Sequence, residues 1–236
     1  MIYETPWKVD NLNDCLWYHS FDLTGVGFVQ GSWDLRPCIS DYLGRYDFAG
    51  KRVLDIGAAN GFLSFHCEQA GASEVVSFDQ SEQHPMQLAP GWGADPPGVR
   101  KMKNGYWFAH RAFKSKAKVF YGDVYNLPDE LGKFDVAILG SILLHLENPY
   151  GGLRNAAKLA DTLIVTDAVR PYYPSTGMMF RPAWPNPDHM FWWYIPLEQM
   201  VRMLSTLGYK VAEPVLLRAT GPQFGFVDLY ALVATR

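Results

Sequence analysis

Val53-Leu54-Asp55-Ile56-Gly57-Ala58-Ala59-Asn60-Gly61 reads as a buried strand that runs into a tight turn and then a helix. Gly57 lets the backbone turn sharply and come close to a ligand, and Gly61 lets the start of the helix pack against the strand. That geometry predicts a nucleotide-type ligand at the carboxyl end of the strand. The spacing is GxxxG, unlike the GxGxxG that wraps a pyrophosphate, and no GK[ST] follows as in a phosphate loop. A diphosphate cofactor is therefore disfavoured.

Outward from this turn, short β-branched runs alternate with amphipathic stretches from residue 51 onward, the pattern of βαβ units and a largely parallel sheet. Strands are predicted at 52–56, 74–79, 117–121, 134–139, 162–166, 210–215 and 226–233, and helices at 36–46, 61–70, 104–114, 150–160 and 197–207. In the last helix Leu197, Met200, Val201, Leu204 and Leu207 share one face. A short Gly/Pro loop at 220–225 joins the last two strands, which predicts an antiparallel hairpin at the sheet edge. Two connections, 81–103 and 168–196, exceed ordinary loop lengths and read as functional insertions.

Composition narrows the class. A chain of 236 residues with 48% apolar content fits one α/β domain with decorations. The net charge is −3 and no basic run exceeds the scattered Arg111, Lys114, Lys116 and Lys118, so composition provides no footprint for a phosphate backbone. Cys15, Cys38 and Cys67 lack the CxxC spacing of a zinc or redox site, which points to free thiols in a reducing cytoplasm. Neither an exported leader nor a membrane span is read from the chain. Aromatic residues reach 15% and cluster at 7–33 and 172–194, on either side of the conventional fold.

Asp79 ends the second strand, 22 residues after Gly57, where a carboxylate can accept hydrogen bonds from both ribose hydroxyls. Asp123, within Gly122-Asp123-Val124, follows the third strand, and Gly140-Ser141-Ile142-Leu143-Leu144-His145 follows the fourth. Together these features resemble class I S-adenosylmethionine-dependent methyltransferases from about residue 50 onward. The resemblance implies a Rossmann-like, mostly parallel seven-stranded α/β sheet with a reversed last hairpin and S-adenosylmethionine as cofactor. It implies cofactor contacts at Asp55, Gly57, Ala58, Gly61, Phe62, Asp79, Gln80, Asp123, Val124, Gly140 and Ser141.

A narrower resemblance covers more of the chain. Trp17-Tyr18-His19-Ser20-Phe21-Asp22-Leu23, Gly31-Ser32-Trp33-Asp34-Leu35-Arg36-Pro37 and His145-Leu146-Glu147-Asn148-Pro149 are similar to the group related to tRNA wobble-uridine carboxymethyltransferases. There the segment before the Rossmann domain helps close the cofactor pocket, which implies a cofactor contact for Trp33. Ser32 and Leu144 stand where the carboxymethyltransferases carry Lys and Tyr, so methyl transfer is expected in place of carboxymethyl transfer.

Methyl transfer is an in-line displacement that asks the protein mainly to align a nucleophile and exclude water. A hydroxyl acceptor also needs a base near neutral pH, and histidine is the natural one to seek. His145 and His19 are the catalytic candidates, each with an alternative as a packed or backbone-bonded residue. His110 reads as structural, and no histidine pair has metal-ligand spacing, so no metal is expected. Trp184, His189, Trp192 and Trp193 in the second insertion, with Tyr18, are the substrate candidates. So much apolar area on one insertion predicts a cap over an apolar pocket or a subunit interface, which leaves a homodimer open.

The expected organisation is an N-terminal closing segment, 1–50, and a Rossmann-like domain, 51–236, with its cap at 168–196. The expected function is methylation of O or N on a small aromatic or heterocyclic acceptor, with no membrane partner. The alternatives are a tRNA wobble-base enzyme and a non-catalytic S-adenosylmethionine-binding protein.

Overall fold

The structure is a computed structural model that describes residues 2–85, 96–170, 176–181, 191–222 and 225–236. In chain order its strands are β1 (Phe21–Leu23), β2 (Gly27–Val29), β3 (Arg52–Ile56), β4 (Glu74–Gln80), β5 (Lys118–Gly122), β6 (Phe134–Gly140) and β7 (Ala160–Ala168). They continue with β8 (Met179–Phe180), β9 (Trp193–Tyr194), β10 (Lys210–Val211), β11 (Val215–Gly221) and β12 (Gly225–Thr235). The α-helices are α1 (Ile39–Tyr42), α2 (Phe62–Gln69), α3 (Pro96–Phe113), α4 (Pro149–Leu159) and α5 (Leu197–Thr206).

The main sheet runs β5-β4-β3-β6-β7-β12, and the outer edge of β12 is shared by β10 and β11. Strands β3 to β7 are parallel, whereas β12 is antiparallel to β7 from Leu229↔Ala168 to Thr235↔Thr162. Strand order reverses between β3 and β6, so the carboxyl ends of those two strands flank the crevice where open α/β sheets bind ligands. Helices cover both faces, which is why β3 is apolar on both sides. Leu54 and Ile56 join Leu139, Leu163, Met200 and Leu204 on one face, while Val53 joins Ile138, Ile164 and Leu63 on the other.

The N-terminal segment crosses the sheet. The Glu4 amide donates to Val119 O on the edge strand β5, and the Asp34 amide donates to Thr220 O on β11 at the opposite side. Between these points the β1–β2 hairpin buries Phe21, Leu23 and Val29 against Phe65, Tyr106 and Trp107.

Three of the differences from the sequence expectation have a local cause. The helix expected at 36–46 is a 3-10 turn at Arg36–Cys38 followed by α1, and it stops because Gly44 and Arg45 both take positive φ. Helix α3 starts at Pro96, inside the connection expected at 81–103, since proline tolerates the first helical turn. The strand expected at 210–215 splits into β10 and β11 because Pro214 has no N–H to place in a ladder.

Candidate active site

The glycine turn is built from left-handed backbone. Gly57, Ala59 and Gly61 have φ of 83°, 48° and 81°. At Gly61 a side chain is excluded twice over, since an added Cβ would lie 2.6 Å from Tyr106 and 2.7 Å from Phe65. Ala59 has a Cβ and bears the left-handed conformation nonetheless. Its N–H donates to Asp79 Oδ2 at 2.7 Å, while Asp79 Oδ1 accepts the Gln80 N–H at 2.7 Å. Each of these oxygens keeps a second lone pair for a diol. Lys103 stands within electrostatic reach of Asp79, with its ammonium 3.9 Å from the centre of the Tyr121 ring. Burial raises the Asp79 pKa, opposed by the two backbone N–H donors and by Lys103.

Asp55 lies beneath the turn, 1% exposed. It anchors a buried chain in which Ser64 Oγ donates to Asp55 Oδ2 at 2.6 Å, Ser77 Oγ donates to Ser64 Oγ at 2.7 Å, and Ser77 Oγ meets Tyr106 Oη at 2.7 Å. Its other oxygen, Oδ1, has no partner among the described residues, and burial pushes the carboxyl pKa up to about 7. That orphaned oxygen at the strand end is the kind of group that a ligand's ammonium satisfies. The residues present thus fit an adenosyl amino-acid cofactor: an unpaired carboxylate oxygen under the turn and a diol-accepting acid on the next strand. Asp123 accepts the Tyr125 N–H at 2.9 Å in an Asx turn, and Val124 O accepts from Asn155.

Across the switch point, Ser141 takes φ of 51° and its amide donates to Thr166 O. Its hydroxyl lies 3.1 Å from Tyr42 Oη, and Thr166 Oγ1 donates to Tyr42 O at 2.6 Å. The Tyr42 phenol is buried within electrostatic reach of Tyr18, Asp55 and Asp167. A side chain does not fit at Gly140, because an added Cβ would lie 2.8 Å from Leu63 and 3.0 Å from Tyr42 Oη. Tyr42 therefore gathers the turn, the ends of β6 and β7, and the N-terminal segment around one point.

The N-terminal segment is pinned over the turn by Asn60. Its side-chain oxygen accepts the Tyr18 N–H, and its amide nitrogen donates to Leu16 O and Met102 O, both at 2.9 Å. The Trp33 side chain lies within electrostatic reach of the Tyr18 phenol, and the Trp33 amide donates to Tyr18 O. His19 is buried between the rings of Tyr18 and Phe62, with centroids at 4.8 and 5.4 Å. Its Nδ1 has no partner among the described residues, and burial pushes its pKa down to about 3.

The described part of the second insertion closes on the end of β6. Strands β8 and β9 pair Met179 with Tyr194 and Phe180 with Trp193, and the Trp192 amide donates to Leu144 O. Trp192 is buried, and the Trp193 indole donates to Glu147 O at 2.9 Å. His145 is buried in a 3-10 turn with its ring 5.0 Å from Phe191. A cleft of about 70 Å³ opens here, walled by Leu144, Asp167, Arg170, Phe191, Trp193 and Tyr194, with Ala168 and Arg181 completing it. Trp184 and His189 lie outside the described residues.

Three residues of this region escaped the sequence reading. Asn60 stood inside the quoted motif, but its type alone does not reveal a tertiary clamp. Tyr42 lay in a stretch read only as a helix. Asp167 ends the fifth parallel strand in Thr166-Asp167-Ala168, and an acid that closes an otherwise apolar strand was the available signal.

A reversed last hairpin, a left-handed glycine turn at the switch point and an acid after each of the next two strands define a Rossmann-like α/β enzyme that binds a nucleoside-type cofactor. The family model described as "Methyltransferase domain" matches residues 35–213, and the chain belongs to that family. The tRNA U34 carboxymethyltransferase of Campylobacter hominis is 31% identical over 127 residues, which cover 54% of this chain and 38% of that protein. The ubiquinone biosynthesis O-methyltransferase of Neisseria meningitidis is 29% identical over 130 residues, covering 53% of this chain and 47% of that one. The matched stretch thus spans less than half the length of either relative. Among solved structures, the N-terminal domain of EvdMO1 with SAH bound shares the fold at a TM-score of 0.62 and 16% identity, covering 93% of this chain and 92% of that one.

Proposed function

We propose that this methyltransferase uses S-adenosylmethionine to methylate an oxygen or nitrogen of a small aromatic or heterocyclic acceptor. The acceptor is enclosed between the 1–50 segment and the 168–196 cap. The observation that carries this reading is the narrow cleft at the end of β7, walled by Phe191, Trp193 and Tyr194, whose Asp167 lies within electrostatic reach of Tyr42. Aromatic walls suit a flat acceptor and a sulfonium charge alike.

The cofactor, when bound, supplies an electrophilic methyl group on a sulfonium. Asp79 and Gln80 are assigned to its ribose and Asp123 and Val124 to its adenine. Asp55, Gly57, Ala58, Gly61, Gly140 and Ser141 are assigned to the amino-acid part, with Phe62 and Trp33 beside them. The pinned N-terminal segment keeps water from the reacting atoms. Of the two candidate bases, His145 adjoins the cleft through Phe191. His19, whose pKa burial lowers to about 3, is a weak base at neutral pH. His145 is therefore the histidine this reading assigns to proton transfer.

The relative that acts on tRNA U34 supports a second reading, an RNA-modifying enzyme. Against it stand the net charge of −3 and the leucine at 144, which forms part of the cleft wall. Among the described residues no helix is long and apolar enough to cross a membrane, and the free thiols favour a cytoplasmic setting.

Calorimetric titration with S-adenosylmethionine, SAH, carboxy-S-adenosylmethionine and NAD tests the cofactor assignment. Binding of the first two with loss on Asp79→Ala supports it, and NAD binding alone overturns it. A complex with SAH that shows an open basic trough in place of a closed cavity would move the acceptor to RNA.

A further inference from the structure

Asp167 is 3% exposed, yet among the described residues its Oδ2 has no hydrogen-bond partner, while Oδ1 accepts the Ala168 N–H at 2.7 Å. It ends β7 at the C-terminal face of the sheet and forms part of the cleft wall. A buried carboxylate oxygen without a donor is costly, and such a group in a site marks a place that a ligand completes. The charged and titratable groups around it are Arg170, Arg181, Tyr42, Tyr194 and Tyr230. Tyr230 is engaged elsewhere, donating to Ile195 O at 3.0 Å.

The cleft thus sets one acid, whose buried Oδ2 has an unfilled acceptor position, beside the Arg170 guanidinium. Its volume of about 70 Å³ is roughly half that of a cavity which holds a benzene ring. It suits the polar end of an acceptor, with the ring lying at the mouth against Phe191 and Trp193.

We propose that Asp167 and Arg170 form the acceptor-specificity subsite, and that the acceptor is a hydroxy acid whose hydroxyl donates to Asp167 Oδ2 and whose carboxylate meets Arg170. This rests on the methyltransferase reading above and adds the class of acceptor. The guanidinium is suited to a planar carboxylate, and it stands within electrostatic reach of the acid that takes the neighbouring hydroxyl. Burial raises the Asp167 carboxyl to about 7, with the Ala168 N–H and Arg170 opposing that rise. Trp193 and Tyr194 are tied to Glu147 O and to the Arg170 backbone, so the subsite walls are held in place before a ligand arrives.

The test is calorimetry on the SAH-loaded protein with salicylate, benzoate, 2-methoxybenzoate and phenol as probes. Salicylate should bind at least about tenfold more tightly than each of the others, one lost hydrogen bond to a charged group being worth about that factor. Asp167→Leu should reduce salicylate to the affinity of benzoate while leaving benzoate alone. Arg170→Met should weaken both anions and leave phenol unchanged. SAH affinity, measured on every variant, reports folding, and Asp167→Asn replaces the leucine variant should that control fail. Equal affinities for the four probes, no binding of any, or an unchanged salicylate preference in the Asp167 variants overturns the subsite. A wild-type chain that binds no SAH instead condemns the cofactor assignment.

Discussion

Asn60 holds Tyr18: the side-chain oxygen of a fully buried residue in the glycine turn accepts the backbone N–H of a residue 42 positions earlier. The same side chain donates to Leu16 O and to Met102 O at the start of α3. One amide thereby joins the N-terminal segment, the cofactor turn and a helix.

Asn60→Ala removes all three bonds and leaves the Leu16 and Met102 carbonyls without that donor. A loss of roughly 2–4 kcal/mol is expected in urea unfolding. Native-state hydrogen exchange should show selective deprotection over residues 16–33. Uniform loss of protection across the chain would argue that the segment is not a separate unit pinned at this point.

Gly61→Ala combines a left-handed backbone with a Cβ 2.6 Å from a buried tyrosine ring. Destabilisation of more than about 2 kcal/mol is expected, along with weaker binding of SAH. Gly208→Ala is the control, since its φ is also positive but nothing lies within 4 Å of an added Cβ. A drop at position 208 as large as that at 61 would show that backbone strain alone, and not enclosure of the turn, sets the cost.

Asp55 has its pKa raised by burial to about 7, from an ordinary carboxylate value of 3.8. Between those values the unfolded chain has released its proton and the native chain retains one, so the native state loses stability as pH rises from about 4 to 7. Asp55→Asn removes that dependence. Its stability relative to the natural chain should rise by roughly 2–4 kcal/mol between pH 5 and pH 8 in paired denaturant titrations. A pH-independent difference would show that Asp55 ionises as readily in the folded protein as in the unfolded chain.

His19 behaves in the opposite sense. Its folded pKa of about 3 lies below the histidine value of 6.5, so stability is lost as pH falls through 6.5, where only the unfolded chain takes up the proton. His19→Leu should be within about 1 kcal/mol of the natural chain at pH 8 and increasingly more stable than it toward pH 5. The measurement is the urea midpoint of both proteins at the two values, and a gap that closes on acidification contradicts the burial argument.

Legibility divided along a physical line. The strands at 52–56 and 134–139 were read nearly to the residue, because a parallel strand buried on both faces must be a run of Val, Ile and Leu whatever surrounds it. The 210–215 strand was read as one piece, although Pro214 within it marked the break. Asn60 and Asp167 were legible only as polar letters next to a turn. What each does depends on which backbone or cavity faces it, and those partners lie up to 44 residues away.

The sequence by itself determined the order of strands and helices, the left-handed glycine turn and the acids at the ends of β4 and β5. Periodicity, φ preference and strand-end position act over a few residues and are written locally. Only the tertiary structure decided that Tyr42 gathers Ser141, Tyr18 and Asp167, that His19 is neutral, and that Asp167 faces a cleft with an open oxygen. Burial and pairing are properties of neighbours brought together by folding, and no local pattern encodes them.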